Sequence, residues 1–358
     1  MKRCNHTEWL SLHANGAIVS LHEANRVQVL IADIANPDVQ RPGLIVFLGN
    51  AAKSVALCQL FGIKAKQAGK NRATGEIHLH VDSSTVGTDR PLLLADGDFQ
   101  QHRPKSWGLR SEKCHATTHH SLLHAHASSF DDLANALYCS LLYPFADMFC
   151  FFAADLGGLR QISRRIAAWI ESESLSNLPP CTYPKVVIVT DLVSSSPDYE
   201  KNAKKTFLWF LRQETKKNVS SYVSSIEVVA LVPADRISSE SRYRRLKERL
   251  LDGCDQVRAH RDETSTLFST AHFAAFLHLA CEHFSRSPTT LLDFIKASRT
   301  QNPPSVHLAE HISTFLNRSH SEGPDSFAAK TIGSSLFLDS YPPGCHSKII
   351  APFDKRLC

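Results

Sequence analysis

Residues 43–57 read Gly43-Leu-Ile-Val-Phe-Leu-Gly-Asn-Ala-Ala-Lys-Ser-Val-Ala-Leu57, and this stretch decides the fold. The continuous apolar run from Leu44 to Leu48 predicts a buried strand, and Gly49 predicts a turn. Lys53 and Ser54 stand at the start of a predicted helix. A strand, a turn and a helix that opens with Lys-Ser are the layout of a phosphate-binding loop.

This layout assigns phosphate binding to the turn and to the first turn of the helix. Backbone N–H groups around Gly49, Asn50 and Ala52 would surround the phosphate oxygens. Lys53 would reach the terminal phosphates, and the hydroxyl group of Ser54 would be a ligand of Mg²⁺. The predicted cofactor is therefore Mg²⁺ with GTP or ATP.

The loop departs from the full pattern, Gly-x-x-x-x-Gly-Lys-Ser/Thr. Phe47 and Ala52 occupy the two glycine positions, and only Gly49 remains as a loop glycine. Ala52 adds a methyl group where the backbone has to approach the β-phosphate. An ordinary strand–turn–helix that carries Lys-Ser stays open as the alternative.

A second apolar strand, Pro91-Leu-Leu-Leu-Ala-Asp-Gly-Asp-Phe99, ends in acidic residues. P-loop nucleotide hydrolases hold Mg²⁺ with a carboxylate near the phosphate loop. Asp96 follows Lys53 at a spacing typical of Ras-like GTPases, so we predict that Asp96 holds Mg²⁺ through water. Those GTPases carry Asp-x-x-Gly at this place, whereas this chain has Asp-Gly-Asp-Phe, and an ordinary Asp-Gly turn is the alternative.

Two more residues stand where Ras-like proteins carry functional groups. Thr74 precedes the predicted strand that begins at Glu76, at the place of the threonine that senses the γ-phosphate; otherwise it is an exposed loop residue. Asp191 follows the predicted strand Lys185–Thr190, at the place of the Asn-Lys-x-Asp motif that recognises guanine. The full motif is absent, so a plain turn residue is the alternative to guanine recognition.

Composition limits the class of protein. With 358 residues, 43% of them apolar, the chain can bury a large core. The net charge of +5 is mild and spread along the chain, so we expect no nucleic-acid partner. The ten cysteines include no Cys-x-x-Cys pair, the start lacks a signal peptide, and no apolar run reaches about 18 residues. We therefore expect a cytoplasmic protein with no transmembrane segment.

Strands and helices alternate over most of the chain, starting with a predicted strand at Arg26–Ile34. This order predicts an α/β fold with a mostly parallel sheet, helices on both faces and a Ras-like P-loop NTPase topology. After residue 261 only helices are predicted. The predicted divisions are an N-terminal segment at 1–25, a degenerate P-loop NTPase-like domain at 26–261, a helical extension at 262–340 and a linker or truncated tail at 341–358.

One segment, Cys114–His126, is rich in possible metal ligands: Cys114, His115, His119, His120, His124 and His126. On a helix, His115 with His119 and His120 with His124 are pairs four residues apart, which makes a Zn²⁺ site possible. No second cysteine cluster accompanies them. We expect a solvated, histidine-rich surface helix, with a metal site as the alternative.

Segments spread over the chain resemble a region of a group of large fungal proteins: Phe47–Ser54, Arg90–Asp98, Glu112–His115, Phe149–Gly158, Pro184–Thr190, Arg242–Arg249, His272–Phe276 and Asp293–Ser298. In that group the region is similar to a P-loop, GTPase-like module that precedes a patatin-like phospholipase domain. The resemblance covers roughly residues 28–343. It implies a fragment without the lipase, since the chain has no Gly-x-Ser-x-Gly motif.

The leading prediction is a regulatory switch that binds nucleotide, GTP rather than ATP, with weak or absent hydrolysis. A protein partner, or an effector domain linked covalently in longer relatives, would complete its function. The rival prediction is a non-catalytic interaction module that has kept the P-loop fold and lost the nucleotide. A metal-dependent enzyme built on the histidine cluster is a third possibility.

Overall fold

The structure is a computed structural model, and it describes residues 6–15, 18–64, 75–99, 116–122, 129–172, 178–192, 196–264, 266–290, 292–301, 303, 305–322 and 325–340. Thr74, the tail at 341–358 and both ends of the histidine-rich segment (114–115 and 123–126) lie outside these residues.

The described residues form one nine-stranded sheet. Its strands are β1 (Glu8–Asn15), β2 (Ile18–Ala24), β3 (Gly43–Leu48), β4 (Glu76–Val81), β5 (Leu92–Gly97), β6 (Thr117–Ser121), β7 (Met148–Phe152), β8 (Lys185–Asp191) and β9 (Ser225–Leu231). The helices are α1 (Arg26–Ile31), α2 (Ala51–Phe61), α3 (Phe130–Ala136), α4 (Leu159–Glu171), α5 (Tyr199–Glu214), α6 (Ser239–Glu263), α7 (Thr270–Arg286), α8 (Phe294–Gln301), α9 (Leu308–Glu322) and α10 (Asp325–Ser340).

The strand order is β6-β2-β1-β4-β5-β3-β7-β8-β9. From β5 to β9 every neighbouring pair is parallel, whereas from β6 to β5 every pair is antiparallel. The α/β class is confirmed, but the mostly parallel sheet is wrong because the sheet is mixed. The difference comes from β1, β2 and β6, which extend the sheet with antiparallel strands beyond β4 and β5.

Strand β3 lies inside the sheet, parallel to β5 on one side and to β7 on the other. All six of its residues are buried. A strand with helices over both faces needs apolar side chains in both directions, and the run from Leu44 to Leu48 supplies them. The predicted buried strand, and the predicted helix that follows it, are both confirmed.

Helices cover both faces of the sheet. Helices α2 and α6 pack on one face in a cluster that includes Phe47, Leu57 and Leu246. Helices α4, α5 and α7 pack on the other face in a larger cluster. Because β3 and β7 contribute residues to both clusters, the core continues through the sheet.

The strand predicted at Arg26–Ile34 is wrong, because this segment contains helix α1. Its buried residues are Val27 and Leu30, which are three positions apart and therefore share a helix face. The Arg26 side chain donates a hydrogen bond to the carbonyl group of Leu79 and ties the helix to β4. Short segments with mixed periodicity are ambiguous from sequence, and here the contacts with the sheet decide.

Candidate functional site

The turn between β3 and α2 is shorter than a full phosphate loop. Strand β3 ends at Leu48 and helix α2 begins at Ala51, so only Gly49 and Asn50 connect them. Gly49 has φ of 154°, and an added Cβ would lie 2.7 Å from a carboxylate oxygen of Asp155. The glycine is needed here both for the backbone conformation and for this close approach.

The carboxylate group of Asp155 occupies the N-terminus of α2. Its Oδ2 accepts hydrogen bonds from the backbone N–H groups of Asn50, at 2.6 Å, and Lys53, at 3.0 Å. Its Oδ1 accepts from the N–H group of Ala52 at 3.0 Å. The first N–H groups of a helix have no partner within the helix and favour negative charge, so an anion belongs at this position. In this chain the anion is an internal carboxylate.

Asp155 reaches this position because it follows β7, the parallel neighbour of β3. A tight turn holds it, in which the Asp155 N–H group donates to the carbonyl oxygen of Phe152 at 3.1 Å. Gly157 and Gly158 follow with φ of 78° and 85°, and α4 begins at the next residue. The carboxyl ends of parallel strands meet at one edge of a sheet, which brings the two turns together.

Lys53 and Asp96 are brought together as predicted, but they bind each other. The ammonium nitrogen of Lys53 lies 2.7 Å from Oδ1 of Asp96, and the two side chains are 2% and 0% exposed. Lys53 also donates a hydrogen bond to the carbonyl group of Gly97. Because both charges are buried and compensated, the pair holds the start of α2 against the end of β5.

Two neighbours enclose this pair, and neither was expected from the sequence. His80 of β4 is buried, and its Nε2 lies 3.9 Å from Oδ2 of Asp96. The Tyr138 hydroxyl oxygen lies 2.2 Å from the position of an added Cβ at Gly97, so only glycine fits beneath the ring. The end of β5, which would face a Mg²⁺ ion in a nucleotide hydrolase, is covered by side chains.

Ser54 uses its hydroxyl group within the helix, where it donates to the carbonyl oxygen of Asn50 at 2.7 Å. The predicted residues from Gly49 to Ser54 and Asp96 thus form one cluster. In it, Asp155 and Asp96 take the contacts that were predicted for phosphate.

Asp191 lies at the same edge of the sheet, at the end of β8. Its carboxylate is 60% exposed and accepts from Arg242 of α6 at 3.0 Å. The backbone carbonyl oxygen of Asp191 accepts from the Tyr199 hydroxyl group at 3.1 Å. Beside it is a cleft of 170 Å³ lined by Ala52, Val55, Phe152, Ala154, Val189, Thr190, Asp191, Leu231, Arg242 and Tyr243.

The described part of the histidine-rich segment forms a strand, which corrects the predicted surface helix. Residues Thr117–Ser121 are β6 and pair with β2 at the sheet edge. Two adjacent β-branched threonines favour this conformation. His119 is exposed and His120 is buried, since neighbouring residues of a strand point to opposite faces. His115, His124 and His126 lie outside the described residues.

No family model matches the sequence, and comparison with curated proteins finds no match. The resemblance to the GTPase-like module of patatin-like phospholipases therefore stays a prediction. Among the helices that the structure describes, none combines the length and the apolar character needed to cross a membrane.

Proposed function

We propose that this chain is a non-catalytic interaction module on a P-loop-type fold, with its phosphate site closed by Asp155. The observation that carries the proposal is the set of three backbone hydrogen bonds from Asn50, Ala52 and Lys53 to the Asp155 carboxylate. A phosphate group would need the same donors. It would also meet a carboxylate of like charge.

The buried pair of Lys53 and Asp96 supports the same function. Phosphate binding would require the lysine to leave a compensated position that is 2% exposed. Hydrogen bonds to charged groups contribute about 1.5–3 kcal/mol each, and a buried charge that loses its partner is more costly still. The hydrogen bonds to Asp155 and the ion pair between Lys53 and Asp96 would all have to break before a nucleotide could bind. Each of them therefore makes the free energy of nucleotide binding less favourable.

Sheet topology supports a P-loop origin for the module. Within the strand order, β4-β5-β3-β7-β8-β9 has only its first strand antiparallel. This arrangement resembles the Ras-type GTPase sheet, whose second strand is antiparallel. The interaction partner would be a protein or a linked effector domain, as the resemblance to patatin-associated modules implies.

A nucleotide-binding switch is the second candidate, and one observation favours it. The cleft beside Asp191 lies at the carboxyl edge of β8 and β9 and includes Ala52 of the short turn. In this candidate, GTP rather than ATP binds with Mg²⁺ at Ser54 and Asp96, Asp191 recognises the base, and the Asp155 carboxylate moves aside. Hydrolysis would be slow because Phe47 and Ala52 stand at the two glycine positions that let a phosphate loop approach its ligand closely.

A thermal-shift experiment tests the choice between these candidates. The wild-type chain, Asp155→Ala and the control Asp235→Ala, which changes an exposed loop residue, are heated with GTP, GDP or ATP and with Mg²⁺. A ligand at 100 times its Kd adds about 2.7 kcal/mol of stability. We expect no nucleotide shift in wild type or Asp235→Ala. A shift confined to Asp155→Ala supports closure by the carboxylate, whereas a shift in the wild type supports the switch.

A further inference from the structure

Far along the sheet from β3, three residues of different elements meet in one cluster. Glu23 belongs to β2, His120 to the edge strand β6 and His278 to helix α7. Glu23 Oε2 lies 3.1 Å from Nε2 of His120 and 2.9 Å from Nδ1 of His278. Each residue offers one possible ligand atom, and these three atoms all lie within 4.8 Å of one another.

We propose that Glu23, His120 and His278 form a binding site for a divalent transition metal, with Zn²⁺ the expected ion. Two imidazole groups and one carboxylate are an established ligand set for zinc. Tetrahedral zinc with bonds of about 2.0–2.1 Å separates its ligand atoms by about 3.3 Å. The observed distances to Glu23 are within a few tenths of an ångström of that value.

Burial of the carboxylate supports a metal at this position. The side chains of Glu23 and His120 are 7% and 8% exposed. A buried carboxylate needs hydrogen bonds and a compensating charge; the two imidazole groups already lie at hydrogen-bond distance from Glu23, and a metal ion would supply the charge. A divalent cation would compensate Glu23 while both histidines remain neutral.

A second carboxylate gives independent support. Nε2 of His278 lies 3.5 Å from Oε1 of Glu282, which is one helical turn further along α7. With Nδ1 on the metal, the other ring nitrogen carries the proton and can donate to Glu282. Histidine ligands commonly donate to an outer carboxylate in this way, which fixes the ring and raises its basicity.

Access also fits, since the His278 side chain is 41% exposed and the site can exchange ions with solvent. Three protein ligands leave the fourth tetrahedral position for water or another small ligand. The same two histidines and carboxylate could hold Fe²⁺, but affinity for a given ligand set is higher for Zn²⁺ than for Fe²⁺. A bound metal would link the edge strand β6 to helix α7.

The test is zinc titration of the full chain after treatment with a chelator, measured by competition with a chromogenic chelator. We expect one Zn²⁺ per wild-type chain, and visible absorption bands of tetrahedral Co²⁺ when cobalt replaces zinc. Two variants remove ligands: Glu23→Gln, which keeps the side-chain shape, and His278→Ala, which changes a partly exposed residue. Removal of an outer-shell partner lowers metal affinity about 10–100-fold. Each of these two variants removes a ligand itself and should therefore lower zinc affinity by more than that.

His119→Ala is the matched control, because His119 neighbours His120 but points to the opposite face and lies beside His22. It should bind zinc as the wild type does, and circular dichroism should show that every variant is folded. Absence of zinc binding by the wild type would overturn the proposal. Zinc binding that survives His278→Ala and is lost in His119→Ala would also overturn the proposal, because the ion would then lie near His119 and His22.

Discussion

Replacement of Lys53 by methionine measures how firmly the buried pair closes the candidate site. The variant keeps the length of the side chain and removes its charge, while the Asp96 carboxylate stays fully buried. Removal of one partner from a buried ion pair costs about 3–5 kcal/mol. That is a large part of the about 5–15 kcal/mol by which folded domains are stable. We therefore expect a much less stable chain.

Urea unfolding followed by circular dichroism gives the free energy of unfolding of each variant. Asp96→Asn and the double variant Lys53→Met/Asp96→Asn complete a double-mutant cycle, in which contacting residues show coupling of about 0.5–3 kcal/mol. The control Lys201→Met changes an exposed helix residue and should stay within about 0.5 kcal/mol of wild type. A Lys53→Met effect as small as that of the control, or zero coupling, would refute the buried pair.

The remaining predictions concern the turn and the cysteines. Gly49→Ala should lower the free energy of unfolding by about 1–3 kcal/mol, because residue 49 has a φ that favours glycine and its Cβ would meet Asp155; an unchanged urea midpoint would contradict this. Burial raises the pKa of Cys139 to about 11, so at pH 8 its thiol should resist alkylation, whereas the exposed Cys181 should react. Peptide mass spectrometry of the folded chain checks the order of labelling, and equal rates would contradict it.

The sequence predicted the parallel half of the sheet because its strands are short apolar runs. The predicted strands Leu44–Leu48 and Lys185–Thr190 lie close to the observed bounds of β3 and β8, and the predicted strand Pro91–Phe99 contains β5. The edge half was harder, since its strands have one polar face and depend on partners distant in the chain. His119 and His120 show the difficulty: histidine spacing fitted a helix, but pairing with β2 makes the segment a strand.

At the candidate site, Lys53 follows β3 and Asp96 lies near the end of the parallel strand β5, and this order was enough to predict that they meet. It was not enough to predict that they bind each other, which depends on how much solvent reaches the end of β5. Asp155 was not predicted because its partners are backbone N–H groups about a hundred positions away. Almost every residue has a backbone N–H group, so the residue types in the sequence do not indicate such a contact. The one available signal was its position three residues after the end of β7, at the sheet edge where Gly49 and Asn50 also lie.

Isothermal titration calorimetry of the wild-type chain with GTP and Mg²⁺ tests most directly the proposal that Asp155 closes the phosphate site. Asp155 already accepts from the three N–H groups of Asn50, Ala52 and Lys53. We therefore predict no binding tighter than a Kd of about 1 mM, which corresponds to about −4 kcal/mol. A Kd near 1 μM, or about −8 kcal/mol, would contradict closure of the site by Asp155 and identify the chain as a nucleotide-binding switch.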